Sequence, residues 1–151
     1  MNIIFMGTPD FAVPSLKLLA ENHNLLCVFS QPARPSGRGM KIKESPVEKA
    51  AKNLNIKTLT PSSLKNEDIF LKFKELKPDL VVVVAYGLIL PEKFLIIPPF
   101  GSIKGHASLL PWWRKATPIQ RSIESVDKKT GSCIMVMEKD MDTGPVIVYK
   151  A

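Results

Sequence analysis

Hydrophobic runs along the chain alternate with segments whose apolar residues recur at the spacing of an amphipathic helix. The strand-like runs lie at 2–6, 24–30, 56–61, 79–87, 101–107, 132–138 and 145–150. The helical segments lie at 11–22, 46–53, 66–77 and 118–126. Because strands alternate with helices, the pattern predicts an α/β fold, a Rossmann-like open twisted sheet that is mostly parallel with helices on both faces.

Local signals define individual elements of this fold. The run DLVVVVAYG (79–87) has the β-branched composition of a central parallel strand covered on both faces. Asp10 is positioned to cap the first helix, and Ser45-Pro46 begins the second with Pro at its first helical position. Residues 31–45, QPARPSGRGMKIKES, are rich in Pro, Gly and basic side chains and are predicted to form a loop.

The composition is that of one globular domain, with 151 residues, 45% of them hydrophobic and 23% charged. No apolar run reaches the ~18 residues of a membrane span, so no membrane association is expected. Cys27 and Cys133 lie in apolar strand-like runs, which predicts reduced core residues of a cytoplasmic protein; a disulfide or a metal pair is the alternative. The chain ends within a strand-like segment, which suggests a truncated domain.

The net charge of +7 fits a nucleic-acid partner. Most of the basic residues are lysines spread along the chain, which is equally typical of a solvated surface. The arginines are more informative because they are confined to two short segments. This distribution suggests that those segments need the planar guanidinium group, which carries several hydrogen-bond donors. They are Arg34, Arg38, Arg114 and Arg121.

Candidate chemistry lies beyond the carboxyl ends of the predicted strands, where open α/β sheets bind ligands. Three stretches follow strands there: GTPD (7–10), AYGLILP (85–91) and GHASLLPWWRKATP (105–118). GTPD lacks the G-x-G-x-x-G spacing, so a plain turn is favoured over a phosphate site. His106 and Asp142 at neighbouring strand ends form a candidate general acid/base pair, although sequence spacing leaves a purely structural histidine open. His23, in a polar turn, is expected at the surface.

A set of motifs carries a resemblance that covers essentially the whole chain. GTPDFAVPSL, QPARPSGRGMK, VVVVAYGLILP, GSIKGHASLLPWWRKATPIQRSI and MDTG, in this order, resemble the N-terminal catalytic domain of the methionyl-tRNA formyltransferases. The resemblance implies a 10-formyltetrahydrofolate co-substrate, initiator Met-tRNA as acceptor, no metal, and a cytoplasmic monomer acting in translation initiation. Residues 1–151 are then expected to be a C-terminally truncated catalytic domain from which the family's OB-like C-terminal domain is absent.

The same resemblance implies roles for individual residues. His106 polarises the formyl oxygen, Asp142 supports the histidine, and Lys104 stands at the position of the family's catalytic Asn. The folate pocket is implied to be formed by Val84, Ala85, Tyr86, Gly87, Leu88, Ser108, Leu109, Leu110 and Pro111. The tRNA contacts are implied to come from Arg34, Arg38, Lys41 and Arg114.

Departures from the family pattern cluster where the chemistry is expected. Strand parity puts Lys104 on the same face as His106, where its ammonium can donate a hydrogen bond or pair with Asp142. Other replaced positions are Ala33, Gly105, Trp112, Lys115 and Pro145. These changes predict a weakly active or inactive chain. The alternatives are a catalytically impaired folate- or RNA-binding remnant and a formyltransferase acting on a small amine; a generic dinucleotide-binding domain is disfavoured because the glycine fingerprint is missing.

Overall fold

A computed structural model describes residues 1–107, 119, 131–140 and 142–150. The strands are β1 (Asn2–Gly7), β2 (Asn24–Phe29), β3 (Arg34–Ser36), β4 (Lys41–Lys43), β5 (Thr58–Leu59), β6 (Leu80–Val84), β7 (Ser102–His106), β8 (Ser132–Val136) and β9 (Val146–Lys150). The helices are α1 (Val13–Asn22), α2 (Pro46–Asn53), α3 (Glu67–Glu75) and α4 (Glu92–Leu95). The helix predicted over 118–126 lies outside the described residues, apart from residue 119.

The main sheet has the strand order β5-β2-β1-β6-β7-β8-β9. Its strands from β5 to β7 pair in parallel, whereas β8 and β9 are antiparallel to their neighbours. β1 and β6 occupy the middle of the parallel part, as the β-branched run of β6 predicts. The predicted α/β class and mostly parallel sheet are therefore confirmed.

Two hydrophobic clusters lie on opposite faces of the sheet, because successive side chains of β1 point in opposite directions. Ile4 and Met6 pack with the aromatic rings of α3 and α4, and Ile3 and Phe5 pack with α1 and α2. Helices thus cover both faces, as predicted. Cys27 and Cys133 are both buried and are not joined by a disulfide, in agreement with the expectation of core residues.

The start of α1 differs from the sequence prediction. Asp10 does not cap it: a short 3₁₀ turn spans Asp10–Ala12, and the helix begins at Val13 after Ala12, which makes no side-chain cap. The prediction was wrong because Pro14 fits the first turn of a helix, where its missing N–H costs nothing, so the α-helix starts one turn later. At α2 the prediction holds, since Ser45 Oγ accepts a hydrogen bond of 3.0 Å from the Glu48 N–H.

Residues 31–45 contain more structure than the predicted loop. β3 and β4 pair antiparallel, Arg34 with Lys43 and Ser36 with Lys41, and form a two-stranded hairpin. The strand pattern was hidden because every residue of both strands is exposed, so no alternation of apolar and polar positions marks them. α4 was also missed, since a four-residue helix is too short to show a helical period.

Candidate active site

β7 presents Lys104 and His106 on one face at the carboxyl edge of the parallel strands. The two residues share a face because side chains alternate along a strand, and His106 is the last residue of β7. The imidazole is only 3% exposed and the Lys104 side chain 22% exposed. The parity argument made from sequence is consistent with this arrangement, which gives two polar side chains a common and largely buried environment.

Asp142 reaches both side chains from the connection between β8 and β9. Its Oδ1 accepts a hydrogen bond of 2.9 Å from Lys104 Nζ, and its Oδ2 lies 3.9 Å from His106 Nδ1. The carboxylate is fully buried. The structure therefore brings together the three residues that the sequence singled out, although Lys104 and Asp142 are 38 positions apart in the chain.

The backbone of Asp142 is held in a conformation that non-glycine residues rarely adopt. Its φ of +56° lies in the left-handed region. The following Gly144 packs so closely against the end of β8 that an added Cβ would collide with the Val136 carbonyl oxygen. The Val136 N–H donates a 2.9 Å hydrogen bond to the Pro145 carbonyl. Close packing of the residues that directly follow Asp142 thus holds the strained residue and aims its carboxylate at β7.

The charges of this cluster define what it can do chemically. A buried carboxylate is costly unless it is paired, and the Lys104 ammonium supplies the opposite charge. The 3.9 Å separation of Asp142 Oδ2 from His106 Nδ1 exceeds hydrogen-bonding distance, so at this approach the carboxylate acts on the imidazole through its charge. An imidazole beside a carboxylate can take up and release a proton, and an adjacent ammonium can stabilise developing negative charge. The cluster is therefore equipped for acyl-type transfer chemistry.

The loop after β6 begins directly beside His106. Val84, the last residue of β6, pairs with Gly105 of β7, so Ala85 emerges next to the histidine. Ala85 has a φ of +49° and Gly87 a φ of +90°, and the loop leaves the sheet abruptly. The positive φ explains why glycine stands at position 87, and an added side chain would also displace the Gln31 amide. The loop is thus a compact wall on one side of the cluster.

Hydrogen bonds to one carbonyl tie this wall to two other loops. The Tyr86 carbonyl oxygen accepts a hydrogen bond of 2.7 Å from Thr8 Oγ1 and one of 2.9 Å from Gln31 Nε2. Thr8 follows β1 and Gln31 follows β2, so the ends of β1, β2 and β6 are joined at the carboxyl edge. Sequence reasoning missed both residues as site-forming groups. The only signal was their position, in GTPD and at the start of the 31–45 segment.

The structure describes five of the residues predicted to form the folate pocket, and these five differ in solvent exposure. The side chains of Val84 and Tyr86 are buried in the core, whereas Ala85 and Gly87 are exposed and Leu88 is partly buried. Burial raises the pKa of the Tyr86 phenol, and its hydroxyl has no hydrogen-bond partner among the described residues. Ala85 and Gly87 are therefore the two of these five residues that are open to a ligand.

The β3–β4 hairpin carries the basic residues that the sequence assigned to nucleic acid. Arg34, Arg38 and Lys41 are all exposed, and no acidic residue occurs between 34 and 43. Met40 and Ile42 on the same hairpin are 66% and 74% exposed. Because the hairpin follows Gln31, its base is anchored to the carboxyl edge. The structure thus presents a basic and apolar projection that begins at the candidate site.

The remaining sequence predictions concern residues away from this cluster or outside the described residues. Ser108, Leu109, Leu110, Pro111 and Arg114 lie outside the described residues. His23 is exposed, as predicted. Within the part of the chain that the structure describes, no group of three or more His, Cys, Asp or Glu side chains could hold a metal ion, and no helix there has the length and apolar composition to cross a membrane.

The whole chain, residues 1–151, matches the protein family described as "Formyl transferase". It is 51% identical to a methionyl-tRNA formyltransferase of Stenotrophomonas maltophilia (strain R551-3), covering 99% of this chain and 49% of that protein. With a methionyl-tRNA formyltransferase of Roseobacter denitrificans it shares 49% identity over 100% of this chain and 50% of the relative. The chain thus spans about half the length of the curated relatives it matches.

Among solved structures, the fold resembles a phosphoribosylglycinamide formyltransferase from Anaplasma phagocytophilum, with a TM-score of 0.80. The alignment covers 99% of this chain and 70% of that one at 23% sequence identity. At this level of identity the likeness concerns the fold alone, a mostly parallel Rossmann-like sheet.

Proposed function

The chain belongs to the formyl transferase family, and on that premise we propose that it forms the formyl-transferring half of a methionyl-tRNA formyltransferase. The reaction moves a formyl group from 10-formyltetrahydrofolate to the α-amine of initiator Met-tRNA. Identity near one half to curated enzymes of that name, over nearly the whole chain, supports this choice of acceptor. A small-amine acceptor has no comparable support.

One observation carries the proposal: Lys104, His106 and Asp142 converge at the carboxyl edge of the sheet. Formyl transfer to an amine needs a donor to the formyl oxygen, which becomes negatively charged as the amine attacks, and a group that takes up the amine's proton. His106 supplies the donor, and Asp142 stabilises the imidazolium and helps carry the proton through water. A positioned donor of this kind contributes about 3 kcal/mol of transition-state stabilisation.

The co-substrate supplies the formyl group, and the loop after β6 suits its binding. Ala85 and Gly87 are exposed just after the Val84–Gly105 pair, and Leu88 adds a partly buried apolar surface. Val84 and Tyr86 shape the loop from the core. We assign Ser108, Leu109, Leu110 and Pro111 to the remaining wall of the pocket on the resemblance of their motif.

The hairpin is the proposed tRNA contact. Phosphate groups attract exposed basic side chains, and Arg34, Arg38 and Lys41 offer three of them without an acidic neighbour on the same hairpin. Arg114 is assigned to the same role on its motif.

The ion pair between Lys104 and Asp142 favours a second candidate, a folate- or RNA-binding chain with impaired transfer. Its 2.9 Å hydrogen bond engages one carboxylate oxygen, and the other lies 3.9 Å from His106 Nδ1. The Lys104 ammonium, which shares the strand face of His106, also repels positive charge that develops on the imidazole during the reaction. The proposal therefore includes a low transfer rate for the chain as it stands.

Formyl transfer from 10-formyltetrahydrofolate to Met-tRNA tests both candidates, measured for the chain and for Lys104→Asn, with folate binding recorded in parallel. Asn provides a neutral donor and releases Asp142, so we expect the variant to be roughly tenfold faster or more. Lys93→Asn, which breaks an exposed ion pair with Glu67, is the matched control and leaves the rate unchanged.

Other outcomes of the same measurements distinguish between the candidate functions. Transfer by the unmodified chain at the rate of the Asn variant removes the impaired candidate. Folate binding by both proteins without transfer by either favours a binding remnant. Preference for a small amine over Met-tRNA in direct competition assigns a different acceptor.

A further inference from the structure

Lys104 differs from the other ion-paired lysines of the described chain in its surroundings. Its side chain is 22% exposed, whereas those of Lys93, Lys52 and Lys139 are 39%, 53% and 75% exposed. The partner of Lys104 is a fully buried carboxylate, and the partners of Lys93 and Lys139 are exposed ones. A primary amine is therefore held in a fixed, largely desolvated place beside His106.

That place is where an amine acceptor has to be if the proposed function is correct. The acceptor's nitrogen must approach the formyl carbon while His106 donates to the formyl oxygen and Asp142 receives protons. Lys104 Nζ is already 2.9 Å from Asp142 Oδ1 and belongs to the same strand face as His106. Prepositioning of this kind accelerates transfer by replacing an encounter between two molecules with a step inside one complex.

From this geometry we infer that Lys104 is itself a formyl acceptor, modified by the N-formyl folate that the proposed function binds. The ammonium first gives a proton to the Asp142 carboxylate. The Nζ lone pair then forms a bond to the formyl carbon, and the bond between that carbon and the donor nitrogen breaks. The leaving nitrogen takes up one proton and a second is released to water, so that R–NH₃⁺ and R′₂N–CHO become R–NH–CHO, R′₂NH and H⁺.

The product changes the electrostatics of the site. A formylated lysine is a neutral amide, with one N–H donor and one carbonyl acceptor in place of three charged donors. Asp142 then loses the ammonium that compensates its burial, and its carboxylate is left 3.9 Å from His106 Nδ1 without that counter-charge. The modification thus replaces a cation with an amide, the functional group that Asn would supply at the same position.

Mass spectrometry of the intact chain after incubation with isotopically labelled 10-formyltetrahydrofolate tests the inference. We expect a gain equal to one CO unit, and peptide mapping that locates the label at Lys104 at roughly tenfold or more above Lys93 and Lys139, because only Lys104 is positioned. Lys104→Arg keeps the charge and removes the amine, so it loses the label. Lys93→Arg keeps the label at Lys104. Free lysine amide, incubated under the same conditions, gives the background rate of formylation.

Folate binding, measured by titration on the same samples, separates the two proposals. Label at Lys104 supports the inference. Bound folate with no label, or with label spread evenly over exposed lysines, overturns the inference alone. Absence of both binding and label overturns the inference together with the proposed function. A circular dichroism spectrum matching that of the unmodified chain establishes that Lys104→Arg is folded.

Discussion

At the scale of single residues, Asp142 combines properties that ordinarily oppose each other. It is charged, its carboxylate is fully buried, and its backbone is left-handed. Each property costs free energy, and the packing of Gly144 on β8 together with the ammonium of Lys104 offsets that cost. Strain maintained in this way is typical of positions that aim a functional group.

Gly144→Ala tests whether packing at the end of β8 holds Asp142. The new Cβ would overlap the Val136 carbonyl oxygen, so the loop must move. We expect the free energy of unfolding to fall by about 1–3 kcal/mol, as measured by urea denaturation. Unchanged stability would show that the loop shifts freely and that Gly144 does not fix the carboxylate.

Gly105→Ala is the matched substitution, on the strand that carries His106. Its Cβ would meet Val84 Cγ2 at 3.4 Å, an ordinary contact. Glycine within a strand costs backbone entropy, so we expect Ala to raise the free energy of unfolding by about 0.5–1 kcal/mol. A lower free energy of unfolding in the variant would show that the close approach of neighbouring strands requires glycine at position 105.

Cys27 gives a pH dependence with a defined sign. Burial raises the pKa of its thiol from an ordinary value of 9.0 to about 11. The stabilisation is complete below the unfolded pKa and is lost as pH rises towards the folded one. We expect stability to fall between those values by at most about 1.4 kcal/mol per pH unit. The slope is measured against Cys27→Ala; equal slopes contradict the assignment.

At the scale of elements, the loops after β1, β2 and β6 form one unit because they share the Tyr86 carbonyl. The β3–β4 hairpin extends from this unit and exposes every residue of both strands. Its side chains contribute little to folding, which leaves them free to carry charge for a partner. The element is therefore suited to binding, and it is anchored where the chemistry is proposed.

Replacing two hairpin charges, Arg38→Ala with Lys41→Ala, tests the tRNA assignment. We expect weaker tRNA binding and a decrease of about 1–2 in the slope of log affinity against log salt, since each lost phosphate contact lowers that slope. The free energy of unfolding stays within about 0.5 kcal/mol because both side chains are exposed. Binding is measured by fluorescence anisotropy over a salt series.

The control removes the same charge from α3, as Lys72→Ala with Lys74→Ala, two exposed positions. Binding that weakens equally in both variants would assign the affinity to net charge rather than to the hairpin.

Sequence signals located most elements but not all of their ends. The start of α2 was predicted correctly because the Ser45 cap and the first-turn Pro46 both indicate the same first residue of the helix. The Asp10 signal failed because Pro14 shifts the helix start to Val13. The hairpin was missed since exposed strands carry no hydrophobic period, and pairing such as Arg34 with Lys43 depends on contacts across the turn.

At the scale of the whole molecule, burial falls from the centre of the sheet to its β9 end. Ile3 to Met6 of β1 are at most 1% exposed, whereas Val146 to Tyr149 of β9 are between 43% and 71% exposed. β9 has a paired neighbour on one side only in the strand order. Opening of the sheet should therefore begin at β9 and reach β1 and β6 last.

Amide hydrogen exchange followed by mass spectrometry measures this order. We expect peptides from β1 and β6 to exchange at the rate of global unfolding and those from β9 to exchange much faster, since edge hydrogen bonds open locally. Protection of β9 equal to that of β6 would show that the sheet unfolds as one cooperative unit.

The sequence by itself determined the α/β class, the central strand β6 and the candidate residues His106 and Asp142, and its resemblance to a known family added Lys104. Hydrophobic period and residue chemistry are local properties, and they can be seen without coordinates. Tertiary structure alone decided that Asp142 bonds to Lys104 at 2.9 Å and lies 3.9 Å from His106. That outcome depends on the antiparallel register of β7 with β8 and on the close packing of Gly144, which act between segments distant in the chain.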